Sequence, residues 1–237
     1  MLSVFKEHIL RFFFPWSCAG CGTALSNLDD VGFCDRCRLH LPRIQGLVCV
    51  FCGLPLPGGG MRCFRCRSAP PGVRIRAALR YSGIVPRALY RFKYFGRESL
   101  ARSFAELMTP TAAQAYADPI DALIPVPLHP SAQRKRGFNQ ADLLARSLAS
   151  QLQVPVLTHA LRRHRRTRAQ HGLSRLARLR NMAEAFTTGP EASHTKGKNV
   201  LLIDDVCTTG STFVACAAAL SAARPRRIQG FALARDE

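Results

Sequence analysis

Two adjacent carboxylates, Asp204 and Asp205, follow four apolar residues and precede a loop of small hydroxylated residues. The apolar run, residues 200–203, is typical of a parallel strand that is covered on both faces. A helix is predicted to begin near residues 211–212, and its unpaired N-terminal N–H groups suit a phosphate. Gly210 allows a positive φ or a close approach to a ligand. The pattern predicts a phosphate site; the alternative is an ordinary βα turn whose polar residues cap the helix.

The unbroken run L-L-I-D-D-V-C-T-T-G-S-T, residues 201–212, resembles the signature of the type I phosphoribosyltransferases. That family binds phosphoribosyl pyrophosphate, so the resemblance implies a site for this ligand with Mg²⁺. It implies that Asp204 and Asp205 hold the ribose hydroxyls, and Asp205 is the candidate catalytic residue. The residues expected to contact the ligand are Asp204, Asp205, Val206, Cys207, Thr208, Thr209, Gly210, Ser211 and Thr212.

Eight of the ten cysteines form four C-x2-C pairs, with 12 residues between the first two pairs and 10 between the last two. They are Cys18, Cys21, Cys34, Cys37, Cys49, Cys52, Cys63 and Cys66. Two such pairs complete a tetrahedral S4 site, so we expect two structural Zn²⁺ ions that supply folding energy to a segment with few core residues. Sequential pairing is favoured over a cross-braced arrangement because each loop then closes locally. A disulfide framework is the alternative.

The chain has 237 residues and a net charge of +19, from 34 Lys and Arg against 15 Asp and Glu. Such a charge indicates polyanionic partners: nucleic acid, phosphorylated substrates or an anionic membrane surface. Residues 161–181 hold eight Arg and no acidic residue. We expect this segment to be mobile until an anion binds. The phosphoribosyltransferase resemblance implies a loop here that closes over substrate, and a nucleic-acid arm is the alternative.

The basic residues that are expected to bind anions come from two stretches of the chain. The candidates for anion or nucleic-acid binding are Arg134, Lys135, Arg136, Arg162, Arg163, Arg165, Arg166 and Arg168. Further arginines surround the cysteine pairs, where they suit phosphate contacts or a solvated surface equally well: Arg36, Arg38, Arg62, Arg65 and Arg67.

Strands and helices alternate after a Ser-Pro-Gly linker at residues 68–72. Strands are predicted at residues 74–81, 121–124, 154–157, 200–203 and 228–233, with helices at 86–92, 98–115 and 140–152 and a last one from near residues 211–212 to residue 223. Such alternation predicts an α/β fold, a parallel sheet with helices on both faces. Prolines from residue 125 onward end the second strand in a fixed loop. Order and position within the resemblance imply that this loop, Val126, Pro127, Leu128 and His129, binds pyrophosphate.

The whole order of these features resembles the ComF family of bacterial competence proteins. The resemblance implies a zinc-binding module over residues 1–68 and a phosphoribosyltransferase-like domain over residues 73–237. It also implies a role in DNA uptake during natural transformation, beside a helicase. Two hypotheses follow: a transferase that moves phosphoribosyl to a nitrogen nucleophile with release of pyrophosphate, or a non-catalytic protein that senses the ligand and binds single-stranded DNA.

The N-terminal segment is apolar but interrupted by charged residues, so it predicts neither a transmembrane helix nor a signal peptide. Its apolar residues recur at helical spacing: Leu2, Phe5, Ile9, Phe12 and Trp16. A short amphipathic helix docked on the protein is expected, with peripheral membrane contact as the alternative. A cytoplasmic location is expected.

Overall fold

The central feature is a four-stranded parallel sheet. The computed structural model describes residues 17–25, 32–94, 98–116, 118–164 and 185–236. The strands are β1 (Arg74–Arg80), β2 (Ala122–Pro125), β3 (Leu161–Arg163), β4 (Phe186–Thr188), β5 (Asn199–Cys207) and β6 (Arg227–Arg235). The order across the sheet is β1-β6-β5-β2, and each neighbouring pair is parallel. The predicted parallel α/β sheet is confirmed.

Helices cover both faces of this sheet. Within the described residues they are α1 (Asp35–Leu39), α2 (Phe64–Ser68), α3 (Val85–Tyr94), α4 (Leu100–Gln114), α5 (Pro130–Arg136), α6 (Gln140–Leu152) and α7 (Ser211–Leu220). Successive residues of β5 point to opposite faces. Leu201 and Ile203 pack with residues of α3, α4 and α6, whereas Val200 and Leu202 pack with α7.

The N-terminal cysteine segment covers the outer edge of β1. The backbone N–H of Ile44 donates to Ala78 O at 3.0 Å, and that of Arg80 donates to Pro42 O at 2.8 Å. An edge strand otherwise presents unpaired backbone groups, so these bonds complete its hydrogen bonding. The predicted domain boundary after residue 68 stays a prediction.

Two strand predictions differ from the structure. β5 extends to Cys207, so the acidic pair lies inside the C-terminal part of the strand and not after it, because β6 continues to pair along it. The predicted strand at residues 154–157 is reduced to a single bridge between Val156 and Leu123. Pro155 has no N–H with which to extend that ladder.

Two segments expected to be irregular contain regular structure. The basic cluster at residues 134–136 lies in helix α5, which Pro130 opens at a position where its missing N–H costs nothing. The Arg-rich segment begins in strand β3, which pairs antiparallel with β4, so residues 161–163 form a strand and not a loop. The expected mobility of the segment stays a prediction. Residues 165–184 lie outside the described residues, as does the predicted N-terminal helix. In the part of the chain that is described, no helix has the length and apolar character to cross a membrane.

Candidate functional site

A pocket of about 110 Å³ opens where β2 and β5 end. Its lining comprises Lys93, Val126, Pro127, Leu128, Arg136, Asn139, Gln140, Ala141, Arg163, Asp204, Asp205 and Thr212. Ligands of parallel α/β sheets bind at this carboxyl edge. The pocket thus brings together the acidic pair, three residues of the predicted pyrophosphate loop and two of the predicted basic residues. Its volume is below the roughly 300–1,000 Å³ of ordinary ligand pockets, so a large ligand would extend from it over the surface.

Asp204 and Asp205 lie on opposite sides of the end of β5. The Asp205 backbone N–H donates to Asp204 Oδ1 at 2.8 Å. Burial, with the neighbouring carboxylate of Asp205 as the second cause, raises the pKa of Asp204 to about 7. The positive charges of Lys93 and Arg163 oppose that rise. The carboxyl group of Asp204 is therefore held in a site where its charged form is unfavourable without a ligand.

Lys93 reaches the acidic pair from α3. It was not among the predicted site residues. Its Nζ lies 2.7 Å from Asp205 Oδ2, and the two side chains are 22% and 13% exposed. In the sequence, Lys93 lies in the basic and aromatic stretch at residues 91–97, but such a stretch is equally typical of a helix end and does not by itself indicate a site residue. Lys93 places a positive charge beside two carboxylates at the point where a ligand would enter.

Arg136 is fixed in the pocket by two partners. Its Nη1 donates to Gln140 Oε1 at 2.9 Å, and its Nη2 donates to Tyr94 Oη at 3.2 Å. Its guanidinium also lies over the Tyr94 ring, 5.2 Å from the centroid. An arginine held in this way suits a phosphate, since its planar fork needs little further ordering.

Gln140 was expected only as part of a helix start. Its side chain is 2% exposed, and its Nε2 has no hydrogen-bond partner among the described residues. A buried donor without a partner costs free energy. Because Gln140 also lines the pocket, an oxygen-rich ligand would supply the missing acceptor.

The loop after β2 is attached to the start of α6. Asn139 Nδ2 donates to Val126 O at 3.0 Å, while its Oδ1 accepts from Ala141 N at 3.1 Å and so caps α6. His129 instead caps α5, because its Nδ1 accepts from Ser131 N at 3.2 Å. Val126 to Leu128 line the pocket. The pyrophosphate role of this loop stays a prediction.

The hydroxylated loop after β5 turns at Gly210, which has the predicted positive φ, 80°. Thr209 Oγ1 donates to Ser211 Oγ at 2.9 Å, and α7 begins at Ser211 as predicted. Thr212 lines the pocket, whereas Cys207, at the end of β5, is buried. We call residues 207–212 the phosphate loop, a role that stays a prediction.

Arg235 supports the phosphate loop from below. Its side chain is 2% exposed. Nη1 donates to Cys207 O at 3.2 Å, to Cys207 Sγ at 2.8 Å, and to Thr208 O. Arg235 comes from the end of β6, far from the motif in sequence, so the motif gave no sign of it.

The eight paired cysteines form two clusters with the sequential pairing that was favoured. Within each cluster the ligand atoms all lie within 4.8 Å of one another. The Cys21 and Cys34 sulfurs are 3.7 Å apart and those of Cys52 and Cys63 are 3.6 Å apart. A tetrahedron of Zn–S bonds of about 2.3 Å requires a separation of about 3.8 Å. All ten cysteines are among the described residues and are free thiols, so the disulfide alternative is wrong.

The other basic residues lie at different places. Arg134 and Lys135 are exposed on α5, and Arg162 is exposed on β3. Arg163 is partly buried in the pocket, where its guanidinium lies 5.3 Å from the Phe186 ring centroid. The predicted residues Arg165, Arg166 and Arg168 fall outside the described ranges.

Comparisons with known proteins agree with this architecture. Residues 9–67 match the family model of the double zinc ribbon domain, and residues 135–236 match that of the phosphoribosyl transferase domain. The chain is 30% identical to competence protein F of Haemophilus influenzae over 94% of this chain and 98% of that protein. It is 30% identical to the DNA utilization protein YhgH of Escherichia coli K12, over 84% of this chain and 87% of that protein.

Competence protein ComFC of Bacillus subtilis is 30% identical over 77% of this chain and 75% of that protein. Among solved structures, the chain is similar to the glutamine phosphoribosylpyrophosphate amidotransferase of B. subtilis. The identity is 17% and the TM-score 0.39, over 59% of this chain and 29% of that chain. A likeness that distant adds nothing to the family models.

The fold and the cysteine clusters define the class: a parallel α/β protein of the phosphoribosyltransferase type with an N-terminal double zinc ribbon. The relatives then define the family. The chain belongs to the ComF family of competence proteins, as the order of its motifs predicted.

Proposed function

We propose that this protein binds phosphoribosyl pyrophosphate with Mg²⁺ in the pocket at Asp204 and Asp205, and that it acts in DNA uptake. One observation carries the proposal. A single small pocket unites an acidic pair, a hydroxyl-lined helix start and a fixed arginine, which are the groups that a sugar bearing two phosphates needs. The names of the relatives, competence protein and DNA utilization protein, support the cellular role.

Each part of the ligand has a matching group. The ribose hydroxyls would donate to the carboxylates of Asp204 and Asp205. The 5′-phosphate would lie on the phosphate loop, where the first N–H groups of α7 and the hydroxyl of Ser211 can donate to it. The pyrophosphate would extend toward Arg136, with Gln140 Nε2 as a further donor.

Mg²⁺ prefers oxygen ligands, so the carboxylates of Asp204 and Asp205 and the pyrophosphate oxygens suit it. When bound, the ion would neutralise charge on the departing pyrophosphate. Arg136 and Arg163 contribute positive charge at the same place from the protein itself.

In a transfer reaction, the bond between ribose C1 and the pyrophosphate oxygen breaks, and a bond from C1 to nitrogen forms. Positive charge develops on the ribose ring, and the nitrogen loses a proton. Asp205 is placed to stabilise that charge or to accept the proton, while Lys93 holds its other oxygen. Positioning and electrostatic stabilisation would carry most of the rate enhancement.

The direct test is calorimetric titration of the full chain with phosphoribosyl pyrophosphate and Mg²⁺. We expect binding in the wild type and at least a tenfold loss of affinity in Asp205→Asn. Asp142→Asn, at a partly exposed ion pair with Arg146 on α6, serves as the control. Absence of binding in the wild type would refute the proposal.

Turnover is a separate question, tested by release of pyrophosphate in the presence of a panel of bases and amines. Release that is lost in Asp205→Asn would establish a transferase. Binding without release from any member of the panel would instead favour a ligand-sensing role for the pocket.

Single-stranded DNA binding is the second candidate function. The observation that favours it is the surface of the second zinc ribbon, the cluster of Cys49, Cys52, Cys63 and Cys66. Phe64 is 82% exposed and stands between exposed arginines at positions 62 and 65. Aromatic side chains that alternate with cations suit stacked bases and a phosphate backbone. A competence helicase remains the proposed protein partner.

Fluorescence anisotropy with a labelled oligonucleotide tests the DNA candidate. Affinity should fall steeply with salt. Arg65→Ser should reduce the salt dependence, whereas Phe64→Ser should weaken binding and leave the salt dependence unchanged. Absent or salt-independent binding would exclude this function.

A further inference from the structure

The second zinc ribbon, formed by Cys49, Cys52, Cys63 and Cys66, is bonded directly to β1. The Ile75 backbone N–H donates to Phe51 O at 2.7 Å. Arg76 Nη1 donates to Cys49 O at 3.3 Å, and its Nη2 donates to Val50 O at 3.2 Å. Arg76 is 8% exposed, so these bonds lie in a largely buried interface. The turn that carries two zinc ligands is therefore attached to the strand by three hydrogen bonds.

The same turn lies against the backbone of β1. Gly53 has φ of +70°, and a Cβ added there would lie 2.7 Å from Ile75 O. That distance is too short for any side chain atom against a backbone oxygen, so close approach requires glycine here. The zinc-binding turn is thus in direct contact with the backbone of Ile75.

The side chain of Ile75 lies under the phosphate loop. Ile75 is fully buried, and a Cβ added at Gly210 would lie 2.6 Å from Ile75 Cδ1. Ile75 therefore contacts the zinc-binding turn through its backbone and the phosphate loop through its side chain. Arg235 contacts the same loop from below, since it donates to the carbonyls of Cys207 and Thr208.

The first ribbon, formed by Cys18, Cys21, Cys34 and Cys37, has a different neighbour. A Cβ added at Gly20 would lie 2.9 Å from Ile84 Cδ1, and Arg91 Nη1 donates to Cys18 O. Both contacts are to α3 or the residue before it. The first ribbon is consequently a matched comparison, with the same ligand chemistry against another part of the fold.

We infer that the second zinc ribbon holds the phosphate loop in its binding conformation through Ile75, so that the order of this loop depends on zinc in the second ribbon and not in the first. The inference rests on the proposed function for its ligand. Four thiolates brought together by zinc fix the turn from Cys49 to Cys52. Without that restraint the phosphate loop also occupies conformations that do not bind the ligand. The apparent affinity is then the intrinsic affinity multiplied by the fraction of molecules in the binding conformation.

The test compares two serine variants at equivalent positions. Cys34 and Cys63 each precede the short helix of their ribbon. We expect Cys34→Ser and Cys63→Ser each to lower the zinc content from two ions per chain to one. Hydrogen exchange of peptides covering the phosphate loop should accelerate at least about tenfold in Cys63→Ser and remain near the wild-type rate in Cys34→Ser. Exchange in β2 reports whether the sheet stays folded.

Ile75→Val provides a second variant that keeps every zinc ligand. It removes the Cδ1 atom beneath Gly210, a deletion that cores commonly tolerate. Zinc content should stay at two ions per chain while exchange of the phosphate loop rises. If Cys63→Ser fails to fold, this variant decides: unchanged loop exchange overturns the inference.

Equal loop exchange in both serine variants, whether raised or unchanged, also overturns it. Titration with phosphoribosyl pyrophosphate and Mg²⁺ should show a parallel loss of affinity in Cys63→Ser and Ile75→Val. Because exchange is measured without ligand, failure of the wild type to bind would refute the proposed function alone and leave the zinc inference decided by exchange.

Discussion

Replacing Asp204 by Asn should stabilise the protein at neutral pH even though it removes a residue of the proposed site. Burial and the Asp205 carboxylate raise the pKa of Asp204 from 3.8 to about 7. Between these values the unfolded chain releases the proton that the folded chain retains, so the free energy of unfolding falls as pH rises. Above about pH 7 the group is ionised in both states and the loss is complete. Asn does not ionise, so the variant does not lose this free energy of unfolding as the pH rises.

The size of the effect follows from the pKa shift. A rise from 3.8 to about 7 corresponds to roughly 4 kcal/mol at about 1.4 kcal/mol per pKa unit, as an upper limit. Roughly 2 kcal/mol of that is already lost at about pH 5.5, because the unfolded chain is ionised there. The stability difference between Asp204→Asn and the wild type should therefore grow by about 2 kcal/mol between about pH 5.5 and pH 8.

Urea unfolding of the zinc-loaded protein across this pH range measures the difference. Asp142→Asn is the control, since the Asp142–Arg146 ion pair on α6 is partly exposed and should change stability by less than about 1 kcal/mol. A pH-independent difference for Asp204→Asn, or a variant less stable than the wild type at pH 8, would refute the reasoning. A rise of the same size in the control would assign the effect to general removal of negative charge.

Three further predictions concern the groups around the acidic pair. Lys93→Met should raise the pKa of Asp204 further, because the Lys93 charge lowers it, and carbon-detected NMR titration of the carboxyl groups measures that shift. Gly210→Ala should lower the melting temperature and weaken phosphoribosyl pyrophosphate binding, because the φ of 80° and the contact with Ile75 both disfavour a side chain; unchanged melting would contradict this. Arg235→Met should cost roughly 1–3 kcal/mol in urea unfolding, since the carbonyls of Cys207 and Thr208 lose their hydrogen bonds to a charged donor.

The sequence alone determined the features that depend on neighbouring residues. C-x2-C spacing directs two thiols to one point whatever the surrounding fold, so the eight clustered cysteines were predicted correctly, and the sequential pairing that was favoured over the cross-braced one is confirmed. The run from residue 200 to residue 212 predicted a strand, a turn at Gly210 and a helix start near residues 211–212 for the same reason, although the strand extends further than predicted, to Cys207. Alternating strands and helices gave the parallel sheet.

Only the tertiary structure decided which distant residues meet. Lys93 reaches Asp205 because α3 ends beside β5, and Arg235 lies under the phosphate loop because β6 pairs with β5 up to Cys207. Neither contact produces a pattern among neighbouring residues in the sequence. The order and register of the strands, which bring these residues together, are set by how the whole sheet buries its apolar side chains. The same applies to the second zinc ribbon. Its cysteines were evident from spacing, but its attachment to β1 through Ile75 follows from the open edge of that strand, which the fold alone creates.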